Sequence, residues 1–478
     1  MQKSISIIGA GLAGCEVALQ LAKYGIPTVL YEQKPLVKSP AHSLDTFAEL
    51  VCSNSLKSLD PYTASGLLKQ ELLALDCILI VQAFQQGIPA GSALAVDRTQ
   101  FSQTITSLVQ SNPLITIKNQ VVETLDLTPD HITVLATGPL TDGKLYEQLQ
   151  NLCGNSLNFF DAVSPIVSKD SLDMDYCFVA DRYNKSAEPQ NNAPPVSPLS
   201  QDNNINNKLS QSRLSTSPIT PSSNGSYINC VLNKEEYLAF YNALITAQKV
   251  QKKEWENIQY FESCMPIETI ASRGVDTMRF GPMRPVGILD PRTGKRPYAV
   301  LQLRQENASA NMYNLVGFQT ALQWSEQKRV FGIIPALKNA EYLRYGVMHR
   351  NSYINSPQLL TPTLSLQSHP NLFIIGQLCG VEGYVESIMT GLVAAHSILA
   401  QIQNLNPSNH PNLSPTFDKN TIIGSLLSYI TTPTTNFAPM NANFGILPPL
   451  NHIRNKDERK KAYYDRSIAS IYQSCPNI

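Results

Sequence analysis

The residues that most constrain what this chain can fold into lie at its start. Ser4 to Ile8 is a short apolar run rich in isoleucine, followed at once by Gly9-Ala10-Gly11-Leu12-Ala13-Gly14, a G-x-G-x-x-G pattern. Val17, Leu21 and their neighbours recur at helical spacing as far as Gly25, with Pro27 just beyond, a helix stop. Ile26 to Tyr31 then reads as a second strand and ends on Glu32, 18 residues after the last glycine. The glycine pattern alone is weak evidence, but strand, tight turn, helix, second strand and acid in this order make a complete dinucleotide-binding unit. The glycines let backbone N–H groups approach a pyrophosphate at the helix N-terminus, and the Glu32 carboxylate can accept from ribose hydroxyls.

Two later segments fit the same domain. Ile132 to Leu135 runs into Ala136-Thr137-Gly138, and Leu372 to Ile375 ends in Gly376-Gln377; in a doubly wound sheet such strand ends gather at the ligand crevice. Gly380-Val381-Glu382-Gly383-Tyr384 then opens a helix expected over Val385 to Ala400. The dinucleotide domain is therefore expected to be discontinuous, with segments 1–140 and 316–478 enclosing an insertion domain, 141–315. At 478 residues the chain has length enough for both.

Within the insertion, residues 184–226 are of different material: 27 of the 43 are Asn, Ser, Pro or Gln and none is aromatic. Such a stretch buries too little apolar surface to offset its ordering entropy, and it is expected to be a disordered surface loop. Periodicity returns at Tyr227, and Lys234 to Trp255 reads as a helix. Lys+Arg and Asp+Glu both number 37, which excludes a uniformly basic nucleic-acid protein but not a locally basic face. Residues 271–350 hold 12 Lys/Arg against 5 Asp/Glu, enough for a polyanion-binding face. No uninterrupted apolar run is long enough for a membrane span; the best candidate, Val385 to Ile402, carries Glu386 and His396. Nine cysteines at wide spacings, with no C-x-x-C pair, argue against a structural metal site and a disulfide framework, and fit a reduced cytoplasm.

Several stretches together carry a resemblance. Phe47 to Leu56 (FAELVCSNSL), Cys264-Met265-Pro266-Ile267-Glu268, Arg279 to Gly287 (RFGPMRPVG), Val347 to Asn351 (VMHRN), Gly380 to Ser387 (GVEGYVES) and Asn441 to Pro449 (NANFGILPP) closely resemble the folate- and FAD-dependent tRNA (uracil-5-)-methyltransferase family. The resemblance covers nearly the whole chain in order, and the 184–226 segment is its clearest interruption. It implies an α/β protein with a glutathione-reductase-type FAD-binding Rossmann domain, interrupted by a smaller α/β insertion domain. It implies formation of 5-methyluridine in the T loop of tRNA, with the methylene carbon taken from methylenetetrahydrofolate via FAD reduced by NADH or NADPH. tRNA and folate are then the partners, with no membrane, no metal and no obligate protein partner, in the cytoplasm.

The chemistry explains the residue types. Uracil C5 is a poor nucleophile until a thiolate adds at C6, so a cysteine is required beside the base. The family implies Cys52 and Cys264. We assign Cys264 the attack on uracil and Cys52 a supporting role in proton transfer or in handling the carbon unit, although the two roles are interchangeable on sequence alone. Gly9 to Gly14, Glu32, Thr137, Gly138, Gly376, Gln377 and Gly380 to Tyr384 are the cofactor candidates, with Glu382 and Tyr384 near the flavin ring. Arg279, Arg284, His349 and Arg350 are candidates for folate glutamate or tRNA phosphate, because a guanidinium fork binds either bidentately. Two alternatives remain open: an FAD-dependent oxidoreductase of a small molecule, which leaves the Cys264 segment unexplained, and the related wobble-uridine tRNA-modifying flavoprotein, which is expected to be longer.

Overall fold

The computed structural model describes residues 3–154, 157–184, 227–250, 265–405 and 417–474. Cys264 and nearly all of the 184–226 stretch lie outside the described residues.

The opening strand, Ser4–Ile8, sits inside a six-stranded sheet of order Ser365–Leu366, His369–Ile374, His131–Leu135, Ser4–Ile8, Thr28–Glu32, Ile115–Asn119. All pairings are parallel except that of the Ser365–Leu366 edge. Parallel strands need crossovers, and the first is the helix Leu12–Lys23. This helix is buried over all but its last residue because the 22-residue helix Tyr384–Leu405 lies across it. Gly391 permits the crossing: a Cβ there would stand 2.5 Å from the Ala13 carbonyl oxygen. Tyr384–Ile402 is long and apolar enough to span a membrane, but 78% of that window is buried in the fold, so core packing accounts for its composition.

A second six-stranded sheet, of order Cys177–Val179, Tyr227–Leu232, Ala299–Gln305, Met312–Leu315, Ile166–Ser168, Tyr342–Arg344, is antiparallel throughout. It has its own hydrophobic core, to which the helix Lys234–Ile245 contributes Tyr237, Phe240 and Leu244. The sequence pattern ran this helix on to Trp255, but it stops at Ile245. Beyond it the backbone turns to pair with a neighbouring segment, Val250 N–H donating to Ala321 at 2.9 Å. The junctions expected at 140/141 and 315/316 can be set beside the two cores. Leu145 and Leu149 pack into the first, whereas Phe318 through Ala340 belong to the second. Leu157–Ala162 and Met348–Tyr353, the two stretches that run between the cores, pair with each other as antiparallel strands.

Candidate active site

A cleft opens at the carboxyl ends of the parallel strands. Gly9, Gly11, Leu12, Ala13 and Glu32 line one side, and Thr137, Gly138, Gly376 and Gln377 line another. Two glycines are obligatory. Gly9 has φ +101° and a Cβ there would lie 2.6 Å from the Ala136 carbonyl oxygen; a Cβ on Gly14 would lie 1.9 Å from that of Gly9. Ala10 and Gly14 thus stand behind the wall rather than in it. The Glu32 carboxylate is held by the N–H groups of Ala10 and Lys34, each 2.9 Å away. Each of its oxygens keeps a lone pair for a ribose hydroxyl. A glycine cradle that no side chain can enter, beside a fixed acid, fits an adenine dinucleotide such as FAD.

The loop Phe47 to Leu56 is tied to this cradle, since Ala48 N–H donates to the Ala10 carbonyl at 2.9 Å. It delivers half-buried Cys52 to the cleft wall beside Tyr384, which also lines it. The two are joined directly: Cys52 N–H donates to Tyr384 Oη at 2.6 Å, and Ser53 N–H at 3.1 Å. Burial, reinforced by the charge of Cys52, pushes the Tyr384 phenol well above its ordinary range, so it stays a neutral hydroxyl whose oxygen fixes the loop. Arg98 and Arg344 are electrostatic neighbours of Cys52. Burial opposes the Arg98 charge, but the Glu306 carboxylate 2.8 Å away and then Tyr384 raise its pKa, whereas burial and the Arg98 charge lower that of Arg344. A thiol among guanidinium groups is placed to act as a nucleophile or proton carrier. The antiparallel sheet meets the same loop: Arg304 Nε donates to Asn54 Oδ1 at 3.0 Å, and Asn54 Nδ2 to the Gln305 carbonyl at 2.9 Å. Sequence reasoning missed Arg98, Glu306 and Arg344, because nothing in their spacing connects them to Cys52.

Of the Gly380 to Tyr384 stretch, Tyr384 alone is among the residues lining the cleft. Val381 is fully buried and bridges to Met440, Gly380 has φ +82° against the Phe437 ring, and Glu382 accepts from Gln377 Nε2 at 2.7 Å. These residues shape the turn that presents Gln377 and Tyr384. Just beyond, buried Glu386 pairs with Lys57 at 2.8 Å and accepts from Ala442 N–H at 3.0 Å, which brings the Asn441 to Pro449 stretch to the same place.

The basic candidates are more dispersed. Arg279 is occupied: it pairs with Asp276 at 2.7 Å, donates to the Tyr298 carbonyl and lies 3.7 Å over the Tyr298 ring. Arg284 is exposed. His349 and Arg350 stand on the strand Met348–Tyr353, at register positions opposite Asp161 and Phe160, and the next residue, Asn351, lines the cleft. Met265, which follows Cys264, is buried. Its segment is anchored by Ile267 N–H to the Gln319 carbonyl and by Glu268, which accepts from Ala321 N–H at 2.7 Å and the Thr320 hydroxyl at 2.9 Å. Among the described residues no cluster of His, Cys, Asp or Glu is arranged to hold a metal ion. Cys15, Cys77, Cys177, Cys230 and Cys379 are buried, as expected of core thiols.

Comparison with known proteins gives the family. The model of the family described as Glucose inhibited division protein A matches residues 4–212 and 196–406. The methylenetetrahydrofolate–tRNA-(uracil-5-)-methyltransferase TrmFO of Enterococcus faecalis is 45% identical over 480 residues, covering 99% of this chain and 100% of its own. The protein of the same name from Caldicellulosiruptor bescii is 46% identical over 468 residues, 97% of each chain. Among solved structures, Aquifex aeolicus GidA is similar at a TM-score of 0.65 and 15% identity, over 99% of this chain and 73% of that one, a likeness of fold. With near-full-length relatives of one name at such identity, this chain belongs to the methylenetetrahydrofolate–tRNA-(uracil-5-)-methyltransferase family, within the wider Glucose inhibited division protein A group.

Proposed function

We propose that this chain forms 5-methyluridine in the T loop of tRNA, taking the carbon from methylenetetrahydrofolate with FAD as resident cofactor and NADH or NADPH as reductant. The observation that carries the reading is Cys52 on the wall of the dinucleotide cleft, its amide bound to Tyr384 and its neighbours two arginines. FAD, when bound and reduced, supplies electrons and relays the one-carbon unit. The chain's own residues do the rest. Glycine-turn amides face the pyrophosphate and Glu32 accepts from the ribose. The Cys264 thiolate adds to uracil C6 and makes C5 nucleophilic; once C5 has gained its carbon, Cys52 takes the C5 proton and the Cys264 thiolate leaves. Arg284, His349 and Arg350 hold anionic groups of tRNA or folate, with Arg279 bracing the turn that carries Arg284. The reaction belongs in the cytoplasm, where tRNA and reduced folate occur.

The test is transfer of label from methylene-labelled tetrahydrofolate into unmodified tRNA by the yellow protein with NADPH. Wild type is expected to label 5-methyluridine, and Cys264→Ala and Cys52→Ala each to lose at least about a hundredfold in rate while remaining yellow. Label persisting in Cys264→Ala would remove that thiol from the attack. No label with wild type despite bound FAD would overturn the reading in favour of a small-molecule oxidoreductase.

A further inference from the structure

Outside the cleft, the second domain carries a ladder of three aromatic rings. Tyr342 and Tyr345 stack at 5.1 Å between centroids and 5° between planes, and Tyr345 and Trp324 at 5.4 Å and 11°. Tyr345 is thus covered on both sides, while Trp324 ends the ladder and is 60% exposed. A large indole held flat by a neighbour on one side and left open on the other is unusual packing for a side chain that contributes only to a core. It is instead the form of a stacking platform.

The ladder is linked to both cysteine-bearing segments. At its inner end, Arg344 lies between Tyr342 and Tyr345 in the chain and is an electrostatic neighbour of Cys52, Tyr384 and Arg98. At its outer end, Trp324 begins the helix Trp324–Phe331, three residues after Ala321, whose N–H binds the carboxylate of Glu268. Glu268 follows Cys264 by four residues. The surroundings are cationic: residues 316–350 contain five Lys/Arg against two Asp/Glu, and Lys328, Arg329 and Lys338 are exposed. An open planar ring with positive charge around it is complementary to an unpaired nucleobase and its flanking phosphates.

We propose that Trp324 is a base-stacking residue that receives an unpaired base of the tRNA loop adjoining the target uridine, backed by Tyr345 and Tyr342. The inference rests on the proposed tRNA reaction and deepens it, by assigning a positioning residue for the substrate. A base held on Trp324 fixes the register of the loop, so that the neighbouring uridine is presented to the cleft wall that carries Cys52.

The experiment compares wild type with Trp324→Ala, Trp324→Phe and Trp324→Tyr. Direct binding of an unmodified T-arm hairpin and of a fully paired RNA duplex of equal length is measured, together with KM for tRNA and for methylenetetrahydrofolate. Wild type is expected to prefer the hairpin. Trp324→Ala should lose about tenfold or more in hairpin affinity and in KM for tRNA, the loss of one base stack, with the duplex affinity and folate KM unchanged. Trp324→Phe and Trp324→Tyr should recover most of the loss, a rescue that a charge or folding defect would not give. Equal hairpin affinity in wild type and Trp324→Ala, or a rise in the folate KM without one for tRNA, would overturn the proposal. Failure of wild type to methylate tRNA while the hairpin still binds through Trp324 would overturn the proposed reaction and leave the platform standing.

Discussion

His396 illustrates what burial does to a single titratable group. It lies inside the helix Tyr384–Leu405, 1% exposed, against Phe417, and its Nδ1 is among the buried atoms left without a hydrogen-bond partner. Burial, helped by the charge of Lys23, pushes its pKa down to about 4 from an ordinary 6.5. Between these values the unfolded chain binds the proton and the folded one does not, so stability from this group is full above pH 6.5 and is lost as pH falls towards 4. The loss amounts to at most about 3 kcal/mol. His396→Leu fills similar space and cannot titrate. We expect its urea midpoint to fall less than that of wild type between pH 7 and pH 4.5; parallel curves would show that His396 contributes nothing to acid sensitivity.

Among elements, a recurring device is a buried glutamate that caps a helix elsewhere in the chain. Glu16 accepts from Ile78 and Leu79 N–H at 3.0 and 2.9 Å, at the start of the helix Ile78–Gln85. Glu71 does the same for Ile422–Thr431, accepting from Ile422 and Ile423 N–H at 2.7 and 2.9 Å and from the Ser467 hydroxyl. First-turn N–H groups have no partner within their own helix, and a carboxylate also meets the positive end of the helix dipole. Glu71 therefore fastens three segments far apart in sequence. Glu71→Ala leaves two buried donors unpaired and is expected to cost about 2–3 kcal/mol in global stability. Amide exchange in Ile422–Thr431 should quicken more than in the central parallel strands; uniform quickening would mean that the cap is not local.

For the whole molecule, the 184–226 stretch stands apart by its composition. Its flanks are paired closely: Cys177–Val179 runs antiparallel to Tyr227–Leu232, and Ala180 N–H donates to the Tyr227 carbonyl at 3.0 Å. Arg182 is tied to Gln302 and to the Val286 carbonyl, each at 2.8 Å. A hairpin held to its tip can be closed by a short connection, and loop-closure entropy changes slowly with length. Replacing residues 185–226 with a six-residue Gly-Ser linker is therefore expected to keep Tm within about 3 °C and methylation within about twofold. A loss of methylation at unchanged Tm would give the stretch a functional part.

Much of the cofactor half was legible in the sequence because its determinants are local. Gly9 to Gly14, the helix after them and Glu32 lie within one β-α-β unit, where period, turn chemistry and spacing state the fold directly. The helix at Tyr384 was readable from its opening glycines, but the expected end of Lys234–Ile245 was ten residues late, since long-range pairing at Val250 stopped it. Contact between residues distant in the chain carries no local signal. The bond of Cys52 to Tyr384 spans 332 residues, and that of Arg98 to Glu306 spans 208. The sequence by itself determined that a dinucleotide cradle exists and that positive charge is concentrated in residues 271–350. Only the tertiary structure decided which side chains meet, because packing of two separate cores, not chain neighbourhood, joins Cys52 to Tyr384 and makes Arg98 and Arg344 their electrostatic neighbours.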